Sequence, residues 1–118
     1  MGQISNKLRR GPDRYFHWCP GCEEMHPLPD SWQFNGNLEN PTFTPSFRHQ
    51  GLLLEKKDGV WTGNWIRDAA GNTIPFTCHY VITNGQIMYQ ADCTHSLKGQ
   101  TIPMPDLPTE MRDDFLNQ

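Results

Sequence analysis

The chain has 118 residues, a formal net charge of −3 and 36% hydrophobic residues. That length fits one domain with a modest core. Lys and Arg form no run longer than two residues, which disfavours nucleic acid as the main partner because phosphate binding needs a basic surface.

No stretch approaches the roughly 20 apolar residues that cross a bilayer, so we expect no membrane-spanning segment. The first 14 residues also lack the apolar segment of a secretory signal. The chain is therefore expected to be cytoplasmic, with reduced thiols that bind a metal rather than form disulfides.

We expect residues 1–13 to form a flexible amino-terminal arm and residues 14–118 to form one zinc-binding, β-rich domain. A strand over residues 14–18 leads into Cys19-Pro20-Gly21-Cys22. Two cysteines separated by Pro-Gly form a tight knuckle that points both sulfurs at one place, and zinc requires four such ligands in a tetrahedron. A thioredoxin-like redox pair needs a helix after the first cysteine, and the two prolines that soon follow the knuckle disfavour one.

Residues 42–47 alternate apolar and polar side chains, with Phe43 and Phe47 on one face. Pro41 and Pro45 lack N–H groups, so this segment is expected to be an edge strand or an irregular one. Further turn signals fall at residues 35–36, 57–59 and 70–72.

The best-defined unit is a hairpin over residues 75–92. Asn84-Gly85 is the strongest short signal for a two-residue turn, and it predicts that Thr83 pairs with Gln86. One face then carries the nearly all-apolar set Phe76, Cys78, Tyr80, Ile82, Ile87, Tyr89, Ala91 and Cys93. This face is expected to pack on the core, with Cys78 and Cys93 as diagonal neighbours.

These four cysteines predict a zinc site that joins the two ends of the domain. The expected ligands are Cys19, Cys22, Cys78 and Cys93, with His95 as the alternate fourth ligand. His26, four residues after the knuckle, is a further donor. Four protein ligands would make a closed structural site, whereas three would leave a position for a reactive water.

His79, Asp92 and His95 are the candidate catalytic residues. His79 and Asp92 lie diagonally on the less apolar face of the predicted hairpin, where Asp92 could orient an imidazole that acts as a base. The alternative is that His79 is a solvated surface histidine and that Asp92 caps the next turn.

Near the carboxyl end, three prolines at residues 103, 105 and 108 prevent regular strand pairing. A short helix is predicted from Asp106, with Leu107, Met111 and Phe115 on one face. The expected fold class is therefore mainly β, with short antiparallel strands, a zinc knuckle and a short carboxy-terminal helix.

In combination, several motifs resemble a group of small zinc-binding proteins of phages and prophages, sometimes labelled "ammonia monooxygenase". The motifs are at residues 16–22, 34–37, 40–46, 78–79 and 92–101. The resemblance implies that the shared pattern includes Cys19, Cys22, Cys78, His79, Asp92 and His95. It also implies that serine can replace Cys93, which favours His95 as a ligand, and that residues 41–46 form a loop of fixed shape near the site.

Two functional hypotheses follow. The first is a zinc-stapled interaction domain that binds a host or phage protein, with a role in countering a defence system. The second is a zinc-dependent hydrolase in which His79, Asp92 and His95 surround an open metal position. Three thiolates around zinc make its bound water less acidic, which ranks the hydrolase second.

Overall fold

The computed structural model describes residues 2–58 and 60–112. Within them, ten strands form: β1 (Leu8–Arg10), β2 (Arg14–Cys19), β3 (Glu24–Pro29), β4 (Gln33–Phe34), β5 (Phe43–Leu52), β6 (Leu54–Lys57), β7 (Val60–Trp65), β8 (Pro75–Thr83), β9 (Gln86–Tyr89) and β10 (Thr101–Pro103). The mainly β prediction is confirmed. In this part of the chain, no helix is long and apolar enough to cross a membrane.

Two antiparallel sheets enclose the core. One has the order β1-β2-β3 and the other the order β10-β9-β8-β5-β4. Their inward side chains meet, since the ring centroids of Tyr15 and Phe43 lie 5.6 Å apart and those of His17 and Tyr80 lie 5.4 Å apart. Strands β6 and β7 form a separate two-stranded extension with an exposed surface.

The predicted Asn-Gly hairpin is confirmed as β8 and β9. Asn84 and Gly85 have φ values of 49° and 75°, which a two-residue turn of this kind requires. Thr83 pairs with Gln86 as expected. The ladder ends at Tyr89, and the chain then turns, because Cys93 N–H donates to the carbonyl of residue 90.

Strand β5 is irregular, as its prolines predict, but it lies inside the sheet between β4 and β8. Its register with β8 shifts between Phe43 and Phe47, where Pro45 offers no N–H and the Thr44–Pro45 peptide is cis. On the side away from β8, β5 pairs only through Phe43 and Thr44 among the described strands. Beyond Thr44, none of the described strands pairs with that edge.

The two ends differ from expectation. Leu8–Arg10, inside the segment expected to be a flexible arm, pair with β2, and Leu8 is fully buried in the core. The domain boundary after residue 13 stays a prediction. The expected carboxy-terminal helix is only a 3-10 turn, Thr109–Met111, because Pro108 before it and Arg112 after it are both extended. Phe115 lies outside the described residues.

Candidate functional site

Three polar side chains are in hydrogen-bond contact on the outer face of the five-stranded sheet. His79 Nδ1 lies 3.1 Å from one carboxylate oxygen of Asp92 and 3.2 Å from the other. His79 Nε2 lies 3.3 Å from Ser46 Oγ. A serine, an imidazole and a carboxylate in this order are the arrangement that activates serine as a nucleophile.

Strand alternation brings these groups together. His79 points outward because its neighbours Cys78 and Tyr80 are buried in the core. Ser46 lies in the irregular part of β5, beside the segment that pairs with β8. The turn after β9 returns Asp92 to His79, so the expected proximity of these two residues is observed, while their catalytic role stays a prediction.

The hydrogen bonds assign the protons of His79. The Asp92 carboxylate accepts Nδ1–H, which leaves the lone pair of Nε2 for the Ser46 hydroxyl. The His79 side chain is 25% exposed and that of Asp92 is 48% exposed, so a substrate can reach them from solvent. Contacts slightly above 3 Å are usual in catalytic sites without a bound substrate.

Cys93 lies beside the backbone of His79. The His79 N–H donates to Cys93 Sγ at 3.2 Å, and the Cys93 thiol donates to the His79 carbonyl at 3.1 Å. The turn after Tyr89 takes Cys93 off the ladder from which its position next to Cys78 was predicted. Its sulfur therefore contacts the backbone of β8 and belongs to neither metal-compatible group in the described residues.

Cysteine and histidine side chains converge on the inner side of β8. Two groups there could hold a metal ion: Cys19 and Cys22 with His26, and Cys22 and Cys78 with His95. All four cysteines are free thiols. The sulfurs of Cys19 and Cys78 are 3.9 Å apart, and Cys78 Sγ lies 3.4 Å from His95 Nε2. A tetrahedral zinc ion holds two sulfurs about 3.8 Å apart and a sulfur and a nitrogen about 3.5 Å apart, so both of these spacings suit such an ion.

The Pro-Gly knuckle accommodates His95 directly. A Cβ atom on residue 21 would lie 2.4 Å from His95 Cε1, which no real side chain tolerates. Gly21 therefore allows the imidazole to lie against the knuckle backbone. This contact connects the two distant parts of the chain that carry cysteines.

The electrostatics of the cluster favour one thiolate, at Cys19, and a neutral His95. The Cys22 thiol, and after it the Cys78 thiol, lowers the pKa of Cys19 by hydrogen bonding. The Cys19 sulfur in turn raises the pKa of Cys78, so one thiolate forms readily and the next does not. Burial lowers the pKa of His95. Thiolate and neutral imidazole are the forms that coordinate a metal, and an ion would release the remaining thiol protons.

A buried hydrogen-bond chain lies behind the cluster. The Tyr80 hydroxyl is 2.5 Å from His17 Nε2 and 2.9 Å from His26 Nδ1. The other nitrogen of His17 donates to the carbonyl of Trp18 at 3.2 Å, so Tyr80 donates to His17 and accepts from His26. Burial, and then the neighbouring His26, lowers the pKa of His17 to about 4. His26 Nε2 is buried and makes no hydrogen bond, and the nearest carboxylate oxygen, from Glu24, lies 3.5 Å from it.

Sequence reasoning missed Ser46. It found His79 and Asp92 through the hairpin register, but no local pattern links Ser46 to β8, 33 residues away. The one available signal was the motif at residues 41–46, which the resemblance placed near the site.

The chain matches the model of one protein family, described as "Bacterial ubiquitination-like system serine protease (BubE)", over residues 2–90. The match includes Ser46 and His79 and ends before Asp92. No curated protein and no solved structure matches the chain. The family description mentions neither zinc nor a phage, so those parts of the expected resemblance stay predictions. Because the match spans most of the sequence, the chain belongs to the BubE family of bacterial ubiquitination-like system serine proteases.

Proposed function

We propose that this protein is a serine protease in which Ser46 is the nucleophile, His79 the general base and Asp92 the carboxylate that orients it. The observation that supports this most strongly is the continuous line of hydrogen bonds from Ser46 Oγ through His79 to Asp92. The family description independently supports the same chemistry.

In the proposed reaction, Ser46 Oγ attacks the carbonyl carbon of the scissile bond while its proton passes to His79 Nε2. The imidazolium, stabilised by Asp92, then donates that proton to the leaving amine as the C–N bond breaks. The acyl group remains on Ser46 as an ester. A water molecule attacks the ester and gives a proton to His79, which returns it to Ser46 Oγ as the acid product leaves.

The proposed substrate is a protein of a ubiquitination-like system, cut at a peptide or isopeptide bond. Membership of the family supports this choice. The predicted partner is therefore still a protein, but in this proposal the enzyme cleaves it as a substrate. A role in phage counter-defence and a cytoplasmic location stay predictions.

We further propose that the metal is structural zinc, held by Cys19, Cys22, Cys78 and His95. Four protein ligands leave no position for a reactive water. His79 is engaged by Ser46 and Asp92 on the opposite side of β8 from Cys78, which argues against the zinc-dependent hydrolase. Bound zinc would join the knuckle after β2 to both β8 and the loop of residues 92–95, next to the catalytic groups.

Covalent labelling tests the protease. A fluorophosphonate probe is expected to modify the wild-type protein at Ser46, located by mass spectrometry, and to leave Ser46→Ala unmodified. Exposed Ser31→Ala is the matched control and is expected to label normally. Asp92→Asn is expected to slow labelling by about a thousandfold or more while circular dichroism stays unchanged, because the imidazole loses the partner that fixes its tautomer.

The opposite outcomes are equally clear. Labelling of another residue, or full proteolytic activity in Ser46→Ala, would refute the serine mechanism. Full activity in Ser46→Ala that is lost in His79→Ala with unchanged zinc content would favour the zinc-dependent hydrolase instead.

A further inference from the structure

A single arginine lies beside the catalytic groups. Arg48 is directly opposite His79 in the antiparallel pairing of β5 with β8, so both side chains project from the same outer face. Arg48 follows Ser46 by two residues and is exposed. Its guanidinium group is therefore at the surface where a substrate must lie.

This arginine has no partner of its own. Within the described part of the chain, Arg48 forms no ion pair or side-chain hydrogen bond. The nearby Asp92 carboxylate already accepts a hydrogen bond from His79 Nδ1–H. The other strand residues that alternation places on this face are uncharged apart from His79: Gln50, Thr77, Val81, Thr83, Gln86 and Met88. Arg48 is thus a cation without an ion-pair partner among the described residues, on a face whose other strand residues are uncharged.

The open edge of β5 gives a substrate a place to bind. No described strand pairs with β5 beyond Thr44 on the side away from β8. Extended peptides commonly add to such an edge through main-chain hydrogen bonds. Two residues of strand span about 7 Å, so a peptide that lies along this edge with its scissile bond at Ser46 would pass Arg48 within about two residues of that bond.

We infer that Arg48 forms a carboxylate subsite, and that the enzyme prefers substrates with a carboxylate within about two residues of the scissile bond. The inference rests on the proposed protease function. The fork of the guanidinium group binds a carboxylate through two parallel hydrogen bonds. An acidic side chain or the carboxyl terminus of the substrate would present the same group.

The test uses internally quenched peptides with an acidic residue at each position within three of the scissile bond. Each cleaved peptide is compared with its Glu→Gln counterpart, and each peptide that ends near the bond is made with a free and with an amidated terminus. The wild-type protein is expected to show about tenfold higher kcat/KM for the carboxylate form. Arg48→Gln is expected to cleave both forms alike. Arg67→Gln, which removes an exposed arginine elsewhere, is the matched control and is expected to keep the preference.

Charge reversal separates recognition from a structural effect. Arg48→Glu is expected to prefer the peptide with Lys in place of Glu, which loss of folding could not produce. The inference is overturned if wild type shows no preference, or if Arg48→Gln retains it. It is also overturned if Ser46 is labelled by fluorophosphonate but no peptide of this acidic set is cleaved. Failure of the labelling itself would instead refute the protease proposal.

Discussion

Tyr80→Phe removes one oxygen atom that satisfies two buried histidines. The hydroxyl lies 2.5 Å from His17 Nε2 and 2.9 Å from His26 Nδ1, and Tyr80 is 0% exposed. Phenylalanine would keep the ring contact with Phe47, whose centroid is 4.8 Å away, but would leave both imidazole nitrogens unpaired. Each unpaired buried polar group costs about 1–3 kcal/mol. Because the rings can relax in part, the expected loss of unfolding free energy is about 2–4 kcal/mol.

The loss is measured by urea unfolding of the metal-loaded protein at pH 7, with slopes compared to ensure that only the midpoint changes. Tyr15→Phe is the matched control, since its hydroxyl has no hydrogen-bond partner among the described residues, and it is expected to change stability by under about 0.5 kcal/mol. A change that small in Tyr80→Phe would refute the reasoning, because it would mean that the two histidines do not depend on this hydroxyl.

Two further outcomes are expected. Cys93→Ser should retain one zinc ion per chain by metal analysis of the purified protein, whereas His95→Ala should lose it, because His95 Nε2 lies 3.4 Å from the Cys78 sulfur while the Cys93 sulfur contacts the His79 backbone. Zinc loss in Cys93→Ser alone would instead identify Cys93 as the ligand. Leu8→Ala should lower the unfolding free energy by about 2–4 kcal/mol in the same urea assay, since a fully buried leucine leaves a cavity; an unchanged midpoint would mean that β1 does not dock in solution.

The β8–β9 hairpin was predictable because its information is local. Asn84-Gly85 fixes a two-residue loop, and the loop fixes every pair up to Tyr80 with Tyr89. The buried face followed from the same register. The predicted position of Cys93 extended this register past Tyr89, where the backbone turns and the ladder no longer applies. Its role as a zinc ligand stays a prediction.

Ser46 was not predictable because its position depends on a pairing between distant strands. The register of β5 against β8 shifts between Phe43 and Phe47, and no sequence pattern states the size of that shift. The strand at Leu8 was missed for a related reason. A three-residue strand carries too little periodicity to recognise, and it forms only because β2 offers an edge and the core has room for one leucine.

Cys78 and His79 are consecutive residues that serve opposite surfaces of one strand. Deleting or inserting a single amino acid just before them would exchange their orientations, so that the imidazole entered the sulfur cluster and the thiol met the serine. Evolution along this strand is thus restricted to substitutions or to length changes in steps of two. Insertions or deletions of an odd number of residues are instead expected in the exposed β6–β7 extension, where neither face of the strands carries a site residue.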